Sequence, residues 1–253
     1  MNHLVDAAIV FVCVFGSALL GSYLRRVLPQ HHLSEESIGV VKLATGLVAT
    51  MAALVLGLLI SSAKGSFDTM NTELLHSAAA IVRLDRVLAH YGPETQDIRS
   101  ALKRTTEASI AAMVSGDPAQ LAKLSSPETV ARGEAFQRQV EELSPHSDMQ
   151  RQLQARALQI VDDVLATRWL ALLQQTGSVP VPLLIVLVFW LAILFGTFGL
   201  VAPRNGTTMT ALVMCALSTS GAIFLIMEMN TPLDGIIKLS FAPMRAALAI
   251  LGH

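Results

Sequence analysis

Hydrophobic residues form four long runs in this sequence, and each run is long enough to cross a bilayer as a helix. A spanning helix needs roughly 20 apolar residues, because the hydrocarbon layer is about 30 Å thick and each residue rises about 1.5 Å. The runs cover 4–24, 38–60, 178–202 and 207–227. The last two contain no charged residue, and the short link 203–206 between them predicts a helical hairpin.

The stretch between the second and third runs has a different pattern. It holds 26 of the 37 charged residues, and its apolar residues recur at spacings of three and four, which is typical of amphipathic helices. Glycine and proline at 91–93 and 116–118 predict breaks in it. We therefore expect at least four soluble helices, at 66–90, which continues out of the second span, and at 93–115, 127–143 and 145–175.

The helix predicted at 66–90 has one apolar face, formed by Leu74, Ile81, Leu84 and Leu88. We expect this face to pack against other helices of the insert. Arg83, Asp85 and Arg86 lie off the face and are available for ion pairs.

These patterns predict an all-α integral membrane protein with four transmembrane helices and a soluble helical insert between spans two and three. The expected parts are 1–63 with spans one and two, 64–175 with the insert, 176–228 with spans three and four, and 229–253 with a tail. Because the tail contains Asp234, Lys238, Pro243 and Arg245, we favour an interfacial or packed amphipathic segment over a fifth span.

Two features of the spans bear on how they insert and pack. Arginines follow the first run and no lysine or arginine precedes it, so we expect a retained span and not a cleaved signal peptide. Small residues allow helices to approach closely in lipid, and the first two spans offer four such positions, at Gly16, Gly21, Gly46 and Gly57.

Composition and motifs exclude several functional classes. The mean hydropathy is +0.55 and the formal net charge is −1, which does not suit a nucleic-acid partner. The sequence has no nucleophile elbow, HExxH pair or phosphate-binding glycine loop, so we predict no enzymatic activity and no cofactor. His31-His32 and Glu35-Glu36 are metal-ligand types, but a solvated loop is the favoured interpretation and no metal is predicted.

A stripe on the second span is the main candidate for function. Thr50, Leu54 and Leu58 follow at steps of four and share one helical face, with Ser61, Ser62 and Lys64 after them. Such a stripe most often serves packing. Its rarer use is a hydrophobic constriction that gates a pore by dewetting.

Three stretches resemble a bacterial family of uncharacterised, bestrophin-like membrane proteins. They are 56–68 (LGLLISSAKGSFD), 84–92 (LDRVLAHYG) and 228–235 (EMNTPLDG). The first is similar to the pore helix of bestrophins, and the third to the segment after their last span. The residues that carry the resemblance are Gly57, Phe67, Asp68, Asp85, Arg86, Tyr91, Gly92, Glu228 and Pro232.

Bestrophins are pentameric anion channels in which the second spans line a neck and the insert lies in the cytosol. The resemblance implies a homo-oligomer, pentameric like the family, with Thr50, Leu54 and Leu58 in the neck. Ser61, Ser62 and Lys64 then form the pore mouth, and small inorganic anions are the permeating ions. The neck of bestrophins is bulkier and often aromatic, whereas this stripe is aliphatic with one threonine. The acidic calcium-binding cluster of animal bestrophins has no counterpart here, so calcium gating is not expected.

The leading hypothesis is therefore a passive anion channel of the bacterial inner membrane. The alternative is a membrane-anchored helical sensor or scaffold whose insert binds a partner. Basic residues do not settle the orientation, because those of the short loops nearly balance those of the insert and tail. The resemblance favours the insert and both termini on the cytoplasmic side.

Overall fold

The computed structural model describes residues 3–29, 34–124, 126–174, 180–203, 205–230, 237 and 239–252. Within these ranges the chain is helical and contains no β-strand. The helices are α1 (His3–Val27), α2 (Glu35–Tyr91), α3 (Gln96–Ser115), α4 (Pro118–Leu124), α5 (Pro127–Glu141), α6 (Asp148–Gln174), α7 (Val181–Val201), α8 (Gly206–Asn230) and α9 (Ala242–Ile250). A single 3₁₀ turn, Pro93–Thr95, joins α2 to α3.

Four of the described helices, α1, α2, α7 and α8, are long and apolar enough to cross a membrane. They correspond to the four apolar runs, although the predicted start of the third run at 178 lies outside the described residues. The second of these candidate spans is the first part of one uninterrupted helix, α2, which is 57 residues long.

The end of α2 follows from its local sequence. Gly92 has φ +144°, a conformation that strongly favours glycine, and Pro93 has no backbone N–H with which to extend the helix. The buried hydroxyl of Thr95 lies 2.6 Å from the Leu88 carbonyl and 2.9 Å from the Gly92 carbonyl. It therefore satisfies a carbonyl that the ended helix leaves without a partner.

Contacts divide the chain into two compact units. The first comprises Met1–Phe67 and Gly177–Thr231, and the second comprises Asp68–Thr176 and Pro232–His253. The core of the first unit joins side chains of α1, α7 and α8, among them Val14, Leu187 and Ile223, to small and aliphatic residues of α2. The predicted four-part division of the chain remains a prediction.

Helices α1 and α7 run parallel in the first unit and approach very closely at three glycines. A methyl group added at Gly21 would overlap the Gly196 carbonyl, and one added at Gly199 would overlap the Ala18 carbonyl. A guanidinium nitrogen of Arg25 donates hydrogen bonds to the carbonyls of Val201 and Ala202, at 3.2 and 2.6 Å. This cation therefore caps the C-terminal end of α7, where the helix dipole is negative.

Only one of the four glycines singled out in the first two spans makes such a contact. Gly21 lies at the crossing with α7, whereas Gly16, Gly46 and Gly57 have open space around an added Cβ within this chain. The sequence did not single out the partner glycines of α7, Gly196 and Gly199.

The second unit has its own apolar core, to which α2, α3, α5, α6 and the C-terminal segment contribute. The predicted packing face of α2 is confirmed, because Leu84 and Leu88 are buried in this core. Leu74 and Ile81 pack against a smaller cluster that includes Met244 of α9.

Helix α4 is absent from the sequence-based expectation, which treated 116–118 only as a break. The same residues also start a helix. The Asp117 carboxylate accepts a hydrogen bond from the Ala119 N–H at 3.0 Å, and Pro118 occupies the first helical position.

Candidate functional site

The part of α2 that belongs to the first unit has one buried side and one exposed side within the chain. Ala52, Leu59 and Ala63 are buried in the core of the first unit. By contrast, Leu54 is 76% exposed and Leu58 is 61% exposed. The predicted neck residues therefore lie on the side of α2 that the rest of the described chain does not cover.

Thr50, the third predicted neck residue, is also exposed, but its hydroxyl already has a partner. It donates a hydrogen bond of 2.7 Å to the Leu47 carbonyl one turn earlier. Because this bond occupies the hydroxyl proton, Thr50 presents mainly its methyl group and an acceptor oxygen. The three neck positions thus form a largely apolar surface.

The exposed stripe extends beyond the predicted neck towards the start of α2. Val40, Leu43 and Leu47 are 68%, 79% and 65% exposed. Each lies within about 40° of Leu54 around the helix, since successive residues advance by about 100°. Only the last part of this stripe, from Thr50 onwards, is predicted from the sequence.

The residues assigned to the pore mouth follow on the same helix. Ser61, Ser62 and Lys64 are all exposed. Ser61 continues the stripe, about 20° from Leu54, whereas Ser62 and Lys64 are each rotated by about 80°, in opposite senses. The Lys64 ammonium lies 6.0 Å from the centroid of the Phe67 ring, which places the positive charge over an aromatic face at the end of the first unit.

The remaining family-motif residues have varied environments. Gly57 is exposed on α2, Asp68 and Arg86 are exposed, and Glu228 is 3% exposed near the end of α8. Pro232 lies outside the described residues.

Two motif residues in the second unit are buried and polar. Asp85 pairs with Arg99, and the pKa of Arg99 is raised by its hydrogen bond with that carboxylate. The Tyr91 hydroxyl is buried and has no hydrogen-bond partner among the described residues. Burial raises the pKa of Tyr91, and the nearby Glu94 raises it further.

No group of three or more His, Cys, Asp or Glu side chains converges on a metal-sized site in the part of the chain that the structure describes. His31 and His32, the metal-ligand types considered in the first loop, lie outside that part.

A bestrophin-like domain matches residues 12–244, which is most of the chain. The chain belongs to the bestrophin-like family. Three crystal structures of point variants of a bacterial bestrophin homologue from Klebsiella pneumoniae share its fold. Their TM-scores are 0.63, 0.61 and 0.60, and their sequence identities are 18, 19 and 18%. The matches cover 94, 95 and 97% of this chain and 97% of each of those chains. None of the curated proteins compared matches the chain.

The family resemblance drawn from the motifs is thus confirmed, and the part of the chain that the structure describes has an all-helical, bestrophin-like fold. Two arginines with defined contacts were not identified from the sequence in those roles. Arg99 contacts Asp85 of α2, which lies 14 residues away along the chain. Arg25 contacts the end of α7, at least 176 residues away. Contacts between separate helices leave no periodic pattern in the sequence, so only the charge of each arginine indicated a partner.

Proposed function

We propose that this bestrophin-like protein is an oligomeric channel that conducts small anions passively through a pore lined by α2. The observation that carries the proposal is the exposed stripe containing Thr50, Leu54 and Leu58 on a helix whose opposite side is buried. Membership of the bestrophin-like family supports it, because bestrophins are channels.

The chemistry of the stripe suits a constriction. Leucine side chains offer water no hydrogen bonds, so a narrow ring of Leu54 and Leu58 from several copies excludes water when it is closed. Lys64 places positive charge beyond the ring and raises the local concentration of anions at the mouth. Ser61 and Ser62 supply hydroxyl donors between the two.

The proposed assembly is a homo-oligomer in the bacterial inner membrane, with five copies by resemblance to bestrophins. The insert and both termini lie in the cytoplasm, and 64–175 forms the soluble part between the two pairs of spans. In this topology α1 and α7, as the first and third spans, cross the membrane in the same direction. Their parallel packing supports this arrangement of the spans.

Flux measurements on purified protein test the proposal. Liposomes containing the protein should release chloride or iodide faster than empty liposomes, and native mass spectrometry should give the number of copies. Folded, inserted protein that never exceeds the empty-liposome rate would contradict the channel. The membrane-anchored sensor or scaffold would then be the better account.

A further inference from the structure

The second unit contains a cavity of about 630 Å³ that the proposed channel function does not use. Its walls come from α2 to α6 and α9, all within that unit. Most of the lining is apolar, including Leu74, Ile81, Met113, Phe136 and Leu165. Ligand pockets in proteins typically measure about 300–1,000 Å³ and combine an apolar wall with a few polar groups.

One part of the wall is cationic. The Thr129 hydroxyl donates a hydrogen bond of 2.6 Å to the Lys123 carbonyl, and an Arg132 guanidinium nitrogen donates one of 3.3 Å to the same hydroxyl. These bonds hold the end of α4 against the start of α5, with the Lys123 backbone close to the Arg132 guanidinium, and both residues line the cavity. Neither cation forms an ion pair within the described ranges.

The guanidinium of Arg132 retains hydrogen-bonding capacity. Of its five N–H groups, the described contacts use two, one to Thr129 and one at 3.4 Å to the Glu128 carbonyl. The planar fork of an arginine matches the two oxygens of a carboxylate. Glu73 is the acidic side chain among the described lining residues, so the lining carries one net positive charge.

We propose that this cavity binds a single-chain amphipathic carboxylate, of the kind represented by a free fatty acid. The head group lies against Lys123 and Arg132, and the alkyl chain lies among the apolar side chains of α2, α3 and α6.

Photolabelling tests the site in the full-length protein. The protein is placed in nanodiscs of zwitterionic phospholipid and treated with dodecanoic acid that carries a diazirine near the end of its chain. Peptides from α2 beyond Met70, from α3 and from α6 should carry the label. Unlabelled dodecanoate should compete about tenfold or more better than dodecanol, because only the carboxylate forms hydrogen bonds in which donor and acceptor are both charged.

Matched variants separate the cavity from general partitioning into lipid. Arg132→Gln should reduce labelling about tenfold, whereas Arg138→Gln, at an exposed arginine of the same helix outside the cavity, should not. Ala112→Trp places a large side chain in the cavity and should abolish labelling while leaving the thermal unfolding transition intact. If Ala112→Trp does not fold, the comparison of Arg132→Gln with Arg138→Gln still tests the proposal.

Three results would overturn the proposal. Labelling confined to the membrane spans would mean that the probe only follows the bilayer. Equal competition by dodecanol, with no effect of Arg132→Gln, would remove the head-group assignment. An unlabelled second unit would indicate that a neighbouring copy, or another part of this chain, fills the space.

Discussion

Asp85 of α2 and Arg99 of α3 form a two-point ion pair, with Nε to Oδ1 at 2.8 Å and Nη2 to Oδ2 at 3.0 Å. The Asp85 side chain is 1% exposed and that of Arg99 is 12% exposed. Paired charges of this geometry satisfy each other, but the loss of either partner leaves a buried charge alone. The pair therefore fixes how α3 packs against α2 after the turn at 92–95.

Removing one partner should cost more than removing both. We expect Asp85→Ala to lower the free energy of unfolding by about 3–5 kcal/mol, and Asp85→Ala combined with Arg99→Met to recover part of that loss. Chemical unfolding of the solubilised protein measures both. Asp163→Ala, at an exposed acid of α6, is the control and should change stability by less than about 0.5 kcal/mol. Additive effects of the two substitutions would mean that the pair is not coupled.

The contact between α1 and α7 leads to a second prediction, and another glycine of α1 provides its control. Gly21→Ala places a methyl group against the Gly196 backbone, which cannot move aside as a flexible side chain would. We expect a loss of about 1–3 kcal/mol and a lower melting temperature in detergent. Gly16→Ala, on the same helix with open space around the added Cβ, should not be destabilised. Equal melting temperatures for the two variants would contradict the close crossing.

The buried Tyr91 hydroxyl predicts a pH-dependent effect. Because burial and Glu94 raise its pKa in the folded protein, the unfolded chain loses this proton at a lower pH than the folded one. Stability contributed by Tyr91 is therefore lost as the pH rises above about 10, the value for an unperturbed tyrosine. Tyr91→Phe removes this loss and also removes a hydroxyl that lacks a partner, which costs about 1–3 kcal/mol when buried.

Unfolding at pH 8 and at pH 10.5 measures the Tyr91 effect. The advantage of Tyr91→Phe over the parent should be larger at the higher pH. Tyr23→Phe, at a residue that is 61% exposed, removes the same group from a solvent- or lipid-facing site and controls for the substitution itself. A smaller advantage at pH 10.5 than at pH 8 would show that the hydroxyl is not buried as described.

The spacing of apolar residues was sufficient to predict the helices and one packing face, but it did not predict the contacts between helices. The spacing of Leu84 and Leu88 identified a buried face, because every turn of a helix repeats the same environment. Asp85 lies beside that face, and its burial depends on Arg99 of another helix. Likewise, nothing in the local sequence distinguishes Gly21 from Gly16, since only the path of α7 decides which glycine it meets. The exposure of Leu54 and Leu58 agrees with the predicted stripe, yet their role in a pore remains a prediction.

The proposed orientation predicts which sites are accessible from outside the cell. In a protein with Cys13 and Cys215 replaced by alanine, Glu134→Cys in the insert should not react with an impermeant maleimide in intact cells. Glu35→Cys, at the start of α2, should react. Both positions are exposed in the structure, so the membrane alone decides the difference. The reverse labelling pattern would place the insert outside and favour the sensor interpretation.

The neck itself predicts how single substitutions change ion flux. An aliphatic ring at Leu54 excludes water because the wall offers no hydrogen bonds, so Leu54→Ser should wet the constriction and raise halide flux in liposomes above the parent rate. Ile60→Ser is the matched control. Ile60 is also exposed, at 44%, but lies about 120° from Leu54 around the helix and should have a smaller effect.

A change of charge at the pore mouth should alter the ion selectivity but should leave the apolar constriction itself unchanged. Lys64 lies beyond the apolar ring and attracts anions, so Lys64→Glu should shift the reversal potential in a salt gradient towards cations. Since the field of an exposed charge is screened within about 10 Å at 0.1 M salt, the shift should shrink as the salt concentration rises. Unchanged selectivity in Lys64→Glu, together with equal flux in Leu54→Ser and Ile60→Ser, would mean that this face of α2 contacts lipid or another helix and not a pore.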